Sequence, residues 1–261
     1  MPERSLFSRL TDNRVTRPIK RSIIKHVAAR APSRGLLNRY YNLLSDRQRS
    51  TFQSRYAYIF YGHHGAFTSG LWRVEFVGRN SLFPFAQDRC WLDWAVAVGL
   101  VAHDMEVKET YRALIQSESP PVLFLDVGAN YGMHSLLFLA VGIPIIAFEP
   151  NPTCLAYFQD ICELNGLAGR WEGVAIGRSA GELELVYPEH QPWLGSTQPS
   201  QHSSLTGHQN IKRCTVAVKT LDSFFDSIPE RGLVMVKIDV EGSEPDVLIG
   251  GHGCSRVMMC V

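Results

Sequence analysis

The 261-residue sequence lacks several patterns that would assign it to common protein classes. It has no charge-free apolar run of about 18 residues, so we expect no transmembrane helix. No apolar segment of signal-peptide type follows the N-terminus, so secretion is not expected. The six cysteines form no Cys-x-x-Cys pair and no Cys/His cluster with zinc spacing. These absences predict a cytoplasmic protein with thiols as small core residues and no bound metal.

Acidic residues are scarce near the N-terminus. Residues 1–55 hold thirteen Lys or Arg and three Asp or Glu, whereas the rest holds thirteen and twenty-two. We expect residues 1–35 to form a basic, flexible arm with a short helical piece. Such an arm is typical of a contact with an anionic membrane surface, nucleic acid or an acidic partner, of an organelle presequence, or of a solvated extension.

The region 36–120 is predicted to be mostly helical. Pairs of apolar residues recur at helical spacing from Leu36 to Leu44, so a helical segment packed on protein is expected over 36–61. Residues 71–77 alternate like a strand, and 88–102 and 105–115 have helical patterns. Adjacent His63 and His64 have no third ligand nearby in the sequence, which makes a metal site there improbable.

Residues 122–132 change abruptly from an apolar strand to a glycine-rich turn before a helical segment. The turn has the pattern D-x-G-x-x-x-G, with Asp126, Gly128 and Gly132, and Asn130 lies between the glycines. It does not fit the G-x-G-x-x-G pattern of dinucleotide sites, which disfavours a nicotinamide enzyme. Glycine allows a ligand to approach the backbone closely, and the Asp126 carboxylate can accept hydrogen bonds from an ammonium or hydroxyl group.

A second acid follows the next predicted strand. Glu149 stands 21 residues after Gly128, at the end of the apolar run 143–148. In nucleotide-binding α/β folds an acid at this position binds the ribose hydroxyls, because one carboxylate accepts two hydrogen bonds from a vicinal diol.

A third group of acids follows the predicted strand 233–238. In an extended strand Asp239 and Glu241 would point to the same side, so both are expected to face the crevice. The first, second and fourth strands of a doubly wound sheet meet at its switch point, which would bring all the strand-end acids together.

The polar stretch 188–211 is predicted to be a loop that covers a substrate.

Four motifs in 122–251 resemble the FkbM-type S-adenosylmethionine-dependent methyltransferases. They are Asp126-Val-Gly-Ala-Asn-Tyr-Gly, Phe148-Glu-Pro-Asn-Pro, Val174-Ala-Ile-Gly and Lys237-Ile-Asp-Val-Glu-Gly-Ser-Glu. The resemblance implies an α/β fold of the class I methyltransferase, Rossmann-like type over 121–261. Such sheets usually have seven strands, whereas this sequence ends in the fifth, so the resemblance implies either an incomplete sheet or one covered by N-terminal residues.

The resemblance also implies S-adenosylmethionine as the cofactor and roles for particular residues. The Asp126, Gly128, Asn130 and Gly132 loop would hold the methionine end, and Glu149 would bind the ribose. Ala175 would lie near the adenine. Asp239 and Glu241 would border the methyl group and the acceptor as the catalytic candidates.

The leading hypothesis is O-methylation of a hydroxyl on a glycan, lipid or secondary metabolite. The alternative is a non-catalytic or truncated protein of the same fold that acts through its basic arm at a membrane or partner. A nucleic-acid acceptor is disfavoured, because no Asp/Asn-Pro-Pro-Tyr/Phe tetrad follows the fourth strand, where Asp239-Val-Glu-Gly stands instead.

Overall fold

The computed structural model describes residues 30–56, 70–85, 100–189, 194–197, 210–253 and 257–260, together with helical pairs at 18–19, 22–23 and 26–27. The chain divides into two compact units, of which the first comprises 1–74 and 83–105 and the second 75–82 and 106–261. The predictions for the histidine pair at 63–64 and for most of the helix at 88–102 fall outside the described residues. No helix in the described part of the chain is long and apolar enough to cross a membrane.

The first unit contains two helices, α1 (Ala31–Leu43) and α2 (Asp46–Tyr56), and part of a β-hairpin. The hairpin consists of β1 (Gly70–Phe76) and β2 (Arg79–Phe85), and its tip belongs to the second unit. Positive φ angles at Val77 and Gly78 form its two-residue turn. The predicted strand at 71–77 is thus confirmed, and the region 36–120 contains a hairpin besides its helices.

The helical spacing of 36–44 is confirmed, but the prediction that its apolar residues pack on protein is only partly right. Tyr41 is buried between Phe52 and Trp72, with ring centroids 5.7 and 5.5 Å away. Leu36 and Leu43, in contrast, are exposed. The buried face of α1 is set by side-chain hydrogen bonds to β1, which periodicity does not reveal.

The second unit is built around five parallel strands, β3 (Leu123–Val127), β4 (Ile145–Phe148), β5 (Arg170–Glu172), β9 (Val234–Ile238) and β10 (Val257–Cys260). Their spatial order in the sheet is β10-β9-β3-β4-β5. This order, with the first strand in the centre and crossovers in both directions, confirms the predicted doubly wound α/β fold. The helices of this unit are α3 (Met105–Ile115), α4 (Met133–Ala140), α5 (Pro152–Asn165) and α6 (Glu244–Ile249).

Alternate residues of the sheet supply its two cores. On one face Phe124 stacks on Phe138 of α4 at 3.9 Å, and Tyr111 of α3 packs against both rings. On the other face Phe148 packs at 4.7 Å against Phe224, which lies in the 3-10 helix Leu221–Ser227. Because β3 is covered on both faces, its five residues are all buried.

A second sheet has the order β6-β8-β7, with β6 (Ala175–Ile176), β7 (Gly181–Pro188) and β8 (Ile211–Lys219). Strands β7 and β8 are antiparallel. Within the predicted covering loop, Ser196 forms an antiparallel bridge with Val186, while 190–193 and 198–209 lie outside the described residues.

Candidate functional site

The acids predicted at strand ends lie on neighbouring strands. Strands β9, β3 and β4 are adjacent, and Asp126 of β3 is in register with Lys237 of β9 and Ala147 of β4. Their carboxyl ends therefore meet at one edge of the sheet, as the switch-point argument predicted.

Asp126 lies beneath this edge and is fully buried. Its Oδ2 accepts hydrogen bonds from the Ser135 backbone N–H at 3.1 Å and from the Ser135 hydroxyl at 2.8 Å. Its Oδ1 lies 3.4 Å from the Nζ of Lys237. The carboxylate thus links β3 to the first turn of α4 and to Lys237 of β9.

The glycine turn is compact because protein atoms fill the space beside it. Gly128 has a φ of 74°, and a Cβ there would lie 1.9 Å from the carbonyl oxygen of Asp239. Gly132 also has a φ of 74°, and its Cβ would lie 2.2 Å from the ring of Phe158. Packing and backbone conformation alone therefore require glycine at both positions. From the sequence alone, these glycines were explained only by the close approach of a ligand.

Glu149 joins the turn after β3 to the turn after β4. Its Oε2 accepts from the Asn130 backbone N–H at 3.0 Å, and its Oε1 accepts from the Asn151 backbone N–H at 2.9 Å. Burial raises the pKa of the Glu149 carboxyl above its ordinary value, although these two amides and Lys237 oppose the shift. Each carboxylate oxygen accepts a hydrogen bond from one of these amides and retains capacity for a further donor.

Lys237 lies at the centre of the contacts between β3 and β9. The sequence motif that contains it did not indicate a role for this residue. Its Nζ donates to the Gly128 carbonyl at 2.9 Å and lies 3.4 Å from Asp126 Oδ1 and 3.3 Å from Asp239 Oδ2. The residue is buried. A single lysine within the apolar strand Val-Met-Val-Lys-Ile was the available signal, because a buried lysine requires a charged or hydrogen-bonding partner.

The expectation that Asp239 and Glu241 share one side of an extended strand is wrong. Strand β9 ends at Ile238, and Glu241 occupies a turn with a φ of 53°, so the period-two argument does not reach it. Both residues are exposed at the sheet edge. Asp239 is held by Lys237, whereas the position of Glu241 is set by the turn.

The turn that carries Glu241 is held by Glu244 at the start of α6. The Oε1 atom of Glu244 accepts from the backbone N–H of Val240 at 3.0 Å and of Gly242 at 3.1 Å. Burial raises the pKa of Glu244, but the residue's own backbone amide and those of Gly242 and Val240 outweigh this effect and hold the pKa below its ordinary value.

Ala175 lies in β6, which pairs with Val218 of β8 in the second sheet and not with the main sheet. The predicted third strand is interrupted, since β5 ends at Glu172 and β6 begins after Gly173 and Val174. Within the described residues, no group of three metal-ligating side chains is present.

The arrangement offers carboxylates at three adjacent strand ends, one lysine that links two of them, and two turns clamped to each other by Glu149. Such a site can bind a polar, positively charged ligand that carries hydroxyl groups. The donor and acceptor chemistry fits the sulfonium, ammonium and ribose groups of S-adenosylmethionine.

Comparison with known proteins gives one family and several relatives. Residues 126–260 match the model of the methyltransferase FkbM domain. The chain is 30% identical over 142 residues to "Methyltransferase 1" of Beauveria bassiana, covering 48% of this chain and 57% of that protein. It is 26% identical over 148 residues to "Hexuronic acid methyltransferase AglP" of Haloferax volcanii, covering 55% of each. The chain therefore spans little more than half the length of these curated relatives.

Among solved structures, the SAM-dependent methyltransferase from Agrobacterium tumefaciens aligns with a TM-score of 0.30 and 13% sequence identity. The alignment covers 64% of this chain and 39% of that one.

Proposed function

This chain belongs to the methyltransferase FkbM domain family, whose methyl donor is S-adenosylmethionine, and we propose that it methylates a hydroxyl oxygen of a glycan, lipid or secondary metabolite. The observation that carries the proposal is the meeting of Asp126 of β3, Glu149 after β4 and the Lys237–Asp239 pair of β9 at the carboxyl ends of three adjacent strands. Nucleotide-type ligands bind at this position in open α/β sheets.

Glu149 is the proposed ribose ligand. Its two oxygens are oriented by backbone amides from two different turns, so the carboxylate is fixed before a ligand arrives. A carboxylate placed in this way accepts hydrogen bonds from both hydroxyls of a vicinal diol without reorganising.

The turn containing Asp126, Gly128, Asn130 and Gly132 is the proposed site of the methionine end. Burial places the Asp126 carboxylate under the turn, so in this proposal it acts by holding Ser135 and Lys237. Exposed atoms of the turn and its neighbours would make the direct contacts. Ala175 is proposed to lie near the adenine, as the family resemblance implies.

Asp239 and Glu241 are proposed to border the acceptor. The bound cofactor supplies an activated methyl group on a sulfonium, so the protein mainly aligns the acceptor oxygen for in-line attack. Asp239 is exposed, and its Oδ2 lies 3.3 Å from the Nζ of Lys237, which holds the carboxylate at the sheet edge. We assign it to receive the proton of the acceptor hydroxyl.

Two kinds of support favour a hydroxyl on a sugar-like acceptor. One relative is named a hexuronic acid methyltransferase. In addition, the exposed acids at the sheet edge can accept hydrogen bonds from the hydroxyls of a polyol.

The test is a turnover assay in which the protein, a labelled methyl donor and a metabolite extract are incubated, with products detected by their mass shift. The proposal predicts a product that is heavier by one methyl group and is lost with Asp239→Asn. Failure to methylate any hydroxyl compound by protein that binds the donor would contradict the proposed reaction but not the cofactor site.

A further inference from the structure

Helix α1 places polar side chains inward. Arg34, Asn38 and Tyr41, which follow one another at helical spacing, are its buried residues. The side-chain amide of Asn38 donates to the Arg73 carbonyl at 2.6 Å and accepts from the Arg73 N–H at 2.9 Å, as a neighbouring strand would. The polar face of this helix is thus fixed against protein within the first unit.

The opposite face of α1 exposes large apolar side chains. Leu36, Tyr40 and Leu43 lie at i, i+4 and i+7, and 68%, 54% and 83% of their surfaces are accessible. Ile19 and Ile23, one helical turn apart, are also exposed. A continuous apolar stripe on the outside of a helix marks a surface that contacts something apolar.

The sequence on either side of this stripe carries charge of one sign. Residues 13–45 contain eight Lys or Arg and no Asp or Glu. Arg30 and Arg39 are exposed. Asp46 is the next acid along the chain, and its Oδ1 lies 3.6 Å from the Nη1 of Arg49. An apolar stripe flanked by unopposed basic residues is typical of helices that lie in the interface of an anionic membrane.

We propose that the Leu36–Tyr40–Leu43 face of α1 docks on an anionic lipid surface. The apolar side chains enter the boundary between headgroups and acyl chains, and the flanking arginines contact lipid phosphates. The proposal concerns the first unit alone and does not depend on methyl transfer.

The test measures sedimentation of the full chain with vesicles of phosphatidylcholine, with and without phosphatidylserine. The unmodified chain is expected to bind the anionic vesicles and to be released by salt. The variant L36Q/Y40Q/L43Q is expected to lower the partition coefficient by at least about tenfold, because it removes the apolar contact. R30E/R39E should weaken binding to anionic vesicles and leave residual binding to neutral vesicles unchanged.

The matched control is L71Q/L248Q/I249Q, which removes three exposed apolar side chains elsewhere and should bind anionic vesicles like the unmodified chain. Near-ultraviolet circular dichroism of each variant establishes that it is folded. Absence of binding by the unmodified chain, or equal binding by L36Q/Y40Q/L43Q, would overturn the proposal. A dimer that this variant dissociates, seen by sedimentation velocity without vesicle binding, would instead assign the face to a second copy of the chain.

Discussion

At the residue scale, we expect substitution to be costly at the buried pair of Lys237 and Asp126. Lys237→Met would leave the Asp126 carboxylate, which is fully buried, without its cation. Removing one partner of a buried pair costs about 3–5 kcal/mol of the free energy of unfolding. Urea denaturation followed by circular dichroism measures this loss.

The double variant D126N/K237M serves as the control for this prediction, because it removes both charges and keeps an oxygen that can accept from Ser135. We expect it to be more stable than K237M. If the double variant is the less stable of the two, the ion pair is not what makes Lys237 important.

A second residue-scale prediction compares two glycines with similar backbone conformation. Gly128→Ala would combine the strain of a left-handed residue with a clash against the Asp239 carbonyl, for a loss of about 2–5 kcal/mol. Gly166→Ala has a φ of 64° but no atom within 4 Å of its Cβ, so only the strain of about 1–2 kcal/mol applies. Chemical denaturation measures the free energy of unfolding of both variants. Equal losses would show that the contact with the Asp239 carbonyl does not add to the cost of substituting Gly128.

The positions of the site residues were only partly predictable from the sequence. The place of Glu149 at the end of β4 was predicted from its position after an apolar run and its distance from the glycine turn, and its role stays a prediction. The buried position of Asp126 and the central place of Lys237 depend on the register between β3 and β9, which is a long-range property that local patterns do not contain.

At the element scale, the turn between β9 and α6 depends on Glu244. Glu244→Ala removes the oxygen that accepts two backbone amides and is expected to cost about 1–2 kcal/mol, whereas Glu244→Gln retains an oxygen and should cost less. Thermal unfolding at neutral pH measures the stability of both variants, and Glu244→Ala should be the less stable of the two.

The same residue gives a pH dependence. Because the folded pKa of Glu244 is lowered, its charge stabilises the fold above the ordinary glutamate pKa. The difference in stability between the unmodified chain and Glu244→Gln should therefore shrink as the pH falls through the ordinary value towards the lowered one. A difference that grows on acidification would contradict this assignment.

Elements with a strong sequence pattern were predicted well. The apolar runs that became β3, β4 and β9 are buried on both faces, so their composition alone marks them as strands of a covered parallel sheet. The helix at 36–44 shows the limit, because its buried face carries Arg34 and Asn38 and its exposed face carries leucines. Hydrophobic periodicity located this helix but did not show which of its apolar residues are buried.

At the scale of the whole molecule, the proposed function requires S-adenosylmethionine to bind at the edge where β3, β4 and β9 end. Ionised Glu149 accepts the ribose hydrogen bonds more strongly than the neutral carboxyl does, and burial raises its pKa. The affinity for S-adenosylmethionine is therefore expected to fall as the pH is lowered. The fall should begin at a higher pH than it would if Glu149 had the ordinary pKa of a glutamate. Calorimetric titrations across the acidic range measure this dependence, and an affinity that rises on acidification would contradict it.

The most direct measurement is calorimetric binding of S-adenosylmethionine and its demethylated product to the folded full chain at neutral pH. We predict micromolar affinity that Glu149→Ala abolishes, while Glu163→Ala, at an exposed acid in the last turn of α5, leaves it unchanged. No detectable binding by folded protein, or equal binding by the Glu149→Ala variant, would contradict the account.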